Sequence, residues 1–237
     1  MNNGKLVVKT RLNKINHFNF AMEANNTIHI LLLVDDHPVV RTGYRMILNN
    51  TTDIKVVGEA GSAKEAYTKY NQISCDVIIM DLSMPDVSGI DAIKKIHIRD
   101  SNARILALSM HEEMIFVEQA LKAGATGYIT KRSDPGVLIE AIRSVASGKT
   151  YIIPEIANLL VSNHIRREKS ELSNLSPREF SIFCLIAEGL DINRIGERMA
   201  LSAKTVANYS TQNKAKLNCK TNADIARLAI NNQIINP

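Results

Sequence analysis

Asp35 and Asp36 stand directly after the apolar run Ile30-Leu31-Leu32-Leu33-Val34, and Asp81 stands directly after Val77-Ile78-Ile79-Met80. One acidic residue after a strand is ordinary turn or helix-cap chemistry. Three at the same carboxyl edge of a parallel sheet are different, because converging like charges raise one another's pKa unless a cation sits among them. Oxygen ligands of this kind suit Mg2+, which keeps several waters and takes few protein carboxylates. An aspartate at a strand end that is neutralised in this way can attack phosphorus. Ser109 closes the run Arg104–Ser109 and Lys131 follows Gly127-Tyr128-Ile129-Thr130, so both belong to that edge. A lysine there can bridge an aspartyl phosphate, and a hydroxyl can donate to a phosphoryl oxygen.

Only a particular scaffold brings these residues together. The runs Ile28–Val34, Ile54–Ala60, Val77–Met80, Arg104–Ser109 and Gly127–Thr130 predict strands. Val39–Asn49, Ser62–Gln72, Gly89–Asp100, Glu112–Ala123 and Pro135–Ser147 have helical spacing. Near-continuous apolar strands suit a parallel sheet covered on both faces. Five β-α repeats therefore predict an α/β doubly wound, five-stranded parallel sheet, with ligands at the strands' carboxyl ends. After Ser170 the strand signal stops, and Pro177–Glu188, Asp191–Met199, Ser202–Asn218 and Ala223–Asn231 read as four helices.

A chain of 237 residues fits about two domains. With 45% apolar and 22% charged residues, the composition disfavours disorder and a coiled-coil rod. The net charge of +5 is uneven: +3 over residues 1–27, −2 over 28–165 and +4 over 166–237. The basic end suits a polyanionic partner, although charge alone does not separate that from ordinary surface. Cys75, Cys184 and Cys219 lack CxxC spacing and read as reduced packing residues. No apolar run approaches the ~20 residues of a membrane span. Residues 1–27 read as a loosely ordered polar extension without a signal-peptide core, and Met22 is a candidate start. A charged run, Asn163–Glu171, marks a linker within 151–170 between domains at 28–150 and 171–237.

Within the first domain, Asp35-Asp36-His37, Met80-Asp81-Leu82-Ser83-Met84-Pro85-Asp86-Val87-Ser88-Gly89, Ala107-Leu108-Ser109 and the segment from Ala123 to Lys131 agree in order and spacing with one family. Residues 28–150 resemble the receiver domain of bacterial two-component response regulators. The resemblance implies that Asp81 accepts a phosphoryl group from a sensor histidine kinase. It implies that Asp36 binds Mg2+ directly, Asp35 through water and Ser83 through its backbone carbonyl, with Asp81 completing the metal set. Lys131 would contact the phosphate. Ser109 and Tyr128 would form a switch pair, the hydroxyl moving to the phosphate while the ring turns inward.

The second domain opens with Ser176 as N-cap, Pro177 at the first helical position and Glu179 three residues after the cap. Glu188-Gly189-Leu190-Asp191 ends that helix and starts another, and Leu201-Ser202 turns into a longer one. A short helix, a tight turn and a capped longer helix form a helix-turn-helix, whose second helix enters the major groove. On that helix Val206, Lys214 and Leu217 fall near one side, while Lys204, Asn208, Thr211 and Gln212 fall toward another. Val206 should pack inward and the latter group should meet DNA. Leu175–Glu179, Ile186–Leu190 and Leu201–Tyr209 resemble the LuxR-type helix-turn-helix of the NarL/FixJ family. Tyr209 and the segment from Gly148 to Pro154 further resemble the GacA/UvrY type. Ala207 and Thr211 stand where relatives often carry basic residues, so phosphate contacts from Lys204, Thr205 and Lys214 are expected to dominate over base readout.

The expected function is a cytoplasmic, phosphorylation-controlled regulator that binds double-stranded DNA and forms a homodimer when phosphorylated, not an enzyme. Phosphorylation would free the recognition helix from the receiver. Two other classes compete. A phosphatase using Asp81 would need a second acid/base Asp two residues on, where Ser83 stands. A protein-only interaction module would show no salt-sensitive duplex binding.

Overall fold

Every residue of Val77–Asp81 is buried, as a strand covered on both faces requires. Its side chains alternate between two apolar layers. Ile78 and Met80 join Leu32, Val34, Ile105 and Ala107 on one face, and Val77 and Ile79 join Leu33, Leu106 and Leu108 on the other. In this computed structural model, residues 28–84, 87–158, 160 and 170–235 are described. The polar extension 1–27 and most of the charged run 163–171 lie outside the described residues.

The strands are β1 (Ile28–Val34), β2 (Ile54–Val56), β3 (Glu59–Ala60), β4 (Val77–Asp81), β5 (Ile105–Ser109), β6 (Gly127–Thr130) and β7 (Tyr151–Ile152). They form one parallel sheet in the order β2-β1-β4-β5-β6-β7, with β3 also on β1. The helices between them are α1 (Pro38–Asn49), α2 (Ala63–Tyr70), α3 (Gly89–Arg99), α4 (Met114–Ala123) and α5 (Pro135–Ala146). The sheet differs from the five-stranded expectation in two ways. The run Ile54–Ala60 pairs with β1 in two pieces, Ile28↔Ile54 and Leu33↔Glu59, which keep a common register across the lapse at Val57-Gly58. Tyr151–Ile152, read as the start of the linker, instead extends the sheet beside β6. A two-residue strand is too short to leave a periodicity signal.

The C-terminal unit consists of a short 3-10 turn (Glu171–Asn174) and helices α6 (Pro177–Ala187), α7 (Ile192–Met199), α8 (Ala203–Lys216) and α9 (Asn222–Asn231). Ser176 and Glu179 close a capping box at α6, and Asp191 and Ser202 cap α7 and α8. The α7–α8 turn is tight: a Cβ on Gly196 would come within 2.8 Å of the Leu201 carbonyl oxygen. Helix α6 packs on α3 and α4, so Phe180, Ile182 and Phe183 belong to the same apolar layer as Phe116 and Ile90. Among the described residues no helix is long and apolar enough to cross a membrane.

Candidate functional site

The parallel order places the carboxyl ends of β1, β4, β5 and β6 side by side. Asp81 and Ser109 are fully buried there, and Asp35 is 2% exposed. The Lys131 Nζ bridges the pocket, 2.6 Å from Asp35 Oδ2 and 2.8 Å from Asp81 Oδ2. Burial pushes the Asp81 carboxyl above its ordinary range, against the opposing pull of Lys131 and the Ser83 amide. Burial alone would push Lys131 down, but its bonds to Asp35 and Asp81 carry it above the ordinary lysine value. The ammonium therefore stays charged between two buried acids.

Local structure fixes these groups. The Ser83 N–H donates to Asp81 Oδ1 at 3.0 Å, while its own side chain is exposed. Gly89 opens α3 under the strand end, where a Cβ would lie 1.9 Å from the Asp81 carbonyl oxygen, so only glycine allows this approach. Arg41 of α1 donates to the Asp35 carbonyl at 2.5 Å and to Glu59 at 3.3 Å, tying the β1 end to the sheet edge. In the sequence, Arg41 carries no signal beyond that of a basic residue near the start of a helix.

His37 is likewise a contact that the sequence pattern alone does not mark. The His37 N–H donates to Asp35 Oδ1 at 2.8 Å, and its ring Nδ1 lies 3.0 Å from Asp36 Oδ1. Among the described residues Asp35, Asp36 and His37 form a set of potential metal-binding groups, with one ligand atom of each within 4.8 Å of the others. Asp81 joins Asp35 through Lys131. The carboxylates present a hard oxygen donor set, and at Asp36 Oδ1 the neighbouring group is the His37 ring nitrogen, itself a possible metal ligand. These residues fit a cation such as Mg2+.

Tyr128 is the other member of the expected switch pair. Its ring is already fully inside, and its hydroxyl donates to the His111 carbonyl at 2.7 Å. Burial raises its pKa, holding it as the neutral donor. The pocket behind α4 is apolar, so the ring gains more from filling it than from solvent. Ser109 Oγ accepts from the His111 N–H at 3.1 Å.

In the C-terminal unit, Val206 is fully buried and Leu217 is 3% exposed, as expected for the inward side of α8. Asn213 is buried too, donating to the Glu179 carbonyl at 2.8 Å. Lys204, Asn208, Thr211 and Gln212 are exposed, and Lys214 and Thr205 are half-buried. The Thr205 hydroxyl lies 2.8 Å from that of Ser202 in the helix cap. The sheet domain contacts α6 through α3 and α4, and the outward face of α8 lies open. The expectation that the receiver covers the recognition helix is therefore not what the structure shows. The docking surface is apolar, and α6 offers Phe180 where the exposed side chains of α8 are polar or no larger than alanine.

Comparison with known proteins gives two family matches. Residues 31–143 match the response regulator receiver domain, and residues 173–229 match the bacterial regulatory proteins of the luxR family. The chain is similar to the response regulator UvrY of Escherichia coli K12, at 38% identity over 208 residues, covering 87% of this chain and 95% of that relative. A LuxR-family two-component response regulator from an Aurantimonas species has a solved structure with 41% identity and a TM-score of 0.56, covering 59% of this chain and 99% of its own. RcsB from Salmonella enterica serovar Typhimurium, solved on promoter rprA with the phosphomimetic BeF3-, is 25% identical with a TM-score of 0.65, covering 85% and 98%.

Proposed function

The chain belongs to the two-component response regulators of the NarL/FixJ family, and from that premise we propose how its residues divide the work. It is a DNA-binding transcription regulator with a receiver, placed here at 28–152 so as to include β7, and a LuxR-type domain, placed at 171–237. An Asp81 carboxylate oxygen attacks the phosphorus of a phosphohistidine on the sensor kinase. The P–N bond breaks, the histidine nitrogen leaves with its electron pair, and an aspartyl phosphate forms. Asp35, Asp36, Asp81 and the Ser83 backbone carbonyl would hold Mg2+, which offsets the charge on the phosphoryl oxygens. Lys131 keeps Asp35 and passes its second bond from the Asp81 carboxylate to the phosphoryl group. The Ser109 hydroxyl turns to the same group, and Tyr128 keeps its inward place.

At the other end, Lys204 and Thr205 in the first turn of α8 and Lys214 in its last turn contact DNA phosphates. Asn208, Thr211 and Gln212 face the groove. RcsB, solved on promoter DNA with a phosphomimetic, supports both the ligand and the control, and phosphorylation would pair two copies on a two-fold site. Such a regulator works in the cytoplasm and turns over no external substrate.

One observation carries the reading: Lys131 bridging two buried carboxylates at the strand ends. Asp81→Asn removes the carboxylate at nearly constant size. The variant should lose all acid-labile label from acetyl phosphate while keeping its melting temperature within a few degrees. Undiminished label on Asp81→Asn would reject Asp81 as the acceptor.

A further inference from the structure

One loop residue joins the phosphoacceptor pocket to the DNA-binding unit. His111 lies between β5 and α4, and both candidate switch residues hold its backbone: Ser109 Oγ takes its N–H and the Tyr128 hydroxyl takes its carbonyl. The His111 ring lies flat on Phe116 of α4, with centroids 3.8 Å apart and planes 6° apart. Phe116 meets Phe180 of α6 edge-on at 5.1 Å, and Phe180 stacks on Phe183 at 6.3 Å. An unbroken aromatic line thus runs from the Ser109 hydroxyl into the core of the helix-turn-helix.

A polar latch lies along the same interface. Fully buried Gln119 donates to the Leu172 and Leu175 carbonyls at 3.2 and 3.3 Å. Lys122 reaches the Ser173 carbonyl at 2.9 Å, and the Ser173 hydroxyl donates to Glu118 at 2.5 Å. These bonds tether the 3-10 turn to α4 but touch neither Ser109 nor Tyr128. The aromatic line does.

We infer that His111 is the positioning residue through which the state of Ser109 controls docking of the DNA-binding unit on the receiver. The inference rests on the phosphoacceptor and switch roles proposed above. When Ser109 Oγ turns to a phosphoryl oxygen it stops accepting from the His111 N–H. An amide left without a partner is costly, so the loop shifts to satisfy it. The ring then leaves Phe116, and α6 loses part of the surface it packs on. Because Tyr128 is already inside, the hydroxyl of Ser109 rather than the tyrosine ring is the moving part. Because α8 is already open, release acts on the freedom of two units to pair, not on uncovering the base-reading face.

Cys184 supplies a native probe. It lies in α6 and lines the interdomain cleft with Met84, His111 and Phe116. Pulsed alkylation of the full chain, mapped by peptide mass, reads how often this cleft opens, with Cys75 and Cys219, half-buried like Cys184 but outside the cleft, as reference thiols for changes elsewhere in the fold. Without a phosphodonor, His111→Ala should speed labelling of Cys184 alone by roughly two- to twelvefold, from the usual worth of an aromatic pair. His111→Phe keeps a flat ring over Phe116 and should stay near wild type. Beryllofluoride should speed Cys184 in the wild type and add little in His111→Ala.

Equal Cys184 rates in His111→Ala and wild type would overturn the inference. So would equal gains from beryllofluoride in both. If His111→Ala also exposes Cys75 and Cys219, Phe116→Leu must give the Cys184-only acceleration, and its failure would be equally fatal. Labelling of Asp81 by acetyl phosphate, run in parallel, separates the two readings. Label present with Cys184 unchanged sinks the His111 role alone. Label absent in the wild type sinks the pocket assignment and the relay with it.

Discussion

The acidic pocket and the recognition face solve opposite problems. In the pocket, every group that would touch the phosphoryl is buried or nearly so and already paired: Asp81 and Ser109 are fully buried, and Lys131 is 11% exposed. On α8, Lys204, Asn208, Thr211 and Gln212 are exposed. Bond-making chemistry gains from groups fixed in a low-dielectric site before the substrate arrives. Binding a duplex gains from side chains free to exchange water and counterions for phosphate. The pocket therefore stores its interactions in the free protein, and loss of the Lys131 cation that pairs both of its buried acids should cost stability. The α8 face stores almost nothing and is sensitive only when DNA is present.

The largest effect that would test this contrast is on stability. Lys131→Met leaves two buried carboxylates without their cation, and removing one member of a buried pair costs about 3–5 kcal/mol. Urea unfolding in EDTA should show that loss. Adding Mg2+ should restore more stability to the variant than to the wild type, since a metal can take over the missing charge. A loss below about 1 kcal/mol in EDTA would mean that Lys131 is not the resident counter-charge.

Next in size is base readout. Asn208→Ala should leave folding untouched and cost roughly 1–3 kcal/mol on the preferred duplex, with little change on scrambled DNA. Equal losses on both duplexes would remove Asn208 from readout. Smaller again is Lys204→Ala, which should weaken all duplexes alike and lower the salt slope by about one unit. An unchanged slope would remove Lys204 from the phosphate contacts. If either substitution instead lowered the melting temperature by several degrees, the contrast itself would fail.

The same contrast explains what could be read from the sequence. The pocket was legible because apolar strands fix where their ends lie: Val77–Met80 points Asp81 at the edge that β1 shares. The helix-turn-helix was legible through its caps, Ser176 with Glu179, Asp191 and Ser202, all of which accept the expected backbone bonds. What escaped depended on contacts distant in sequence. Arg41 reaches Glu59, and Gln119 reaches Leu172, across stretches with no periodic signal. The inward place of Tyr128 also escaped, because it depends on the His111 carbonyl and on the space behind α4. The docking of α6 on α3 and α4 joins two domains whose separate apolar faces each looked complete in the sequence.

The central claim is that phosphoryl chemistry at Asp81 governs DNA binding at α8. Binding isotherms on a duplex bearing the preferred two-fold site, with and without beryllofluoride, test it most directly in the wild type and in Asp81→Asn. The wild type should bind more tightly and more cooperatively with beryllofluoride, and Asp81→Asn should give the same isotherm in both conditions. An equal gain in Asp81→Asn, or no gain in a wild type that takes label at Asp81, would contradict the account.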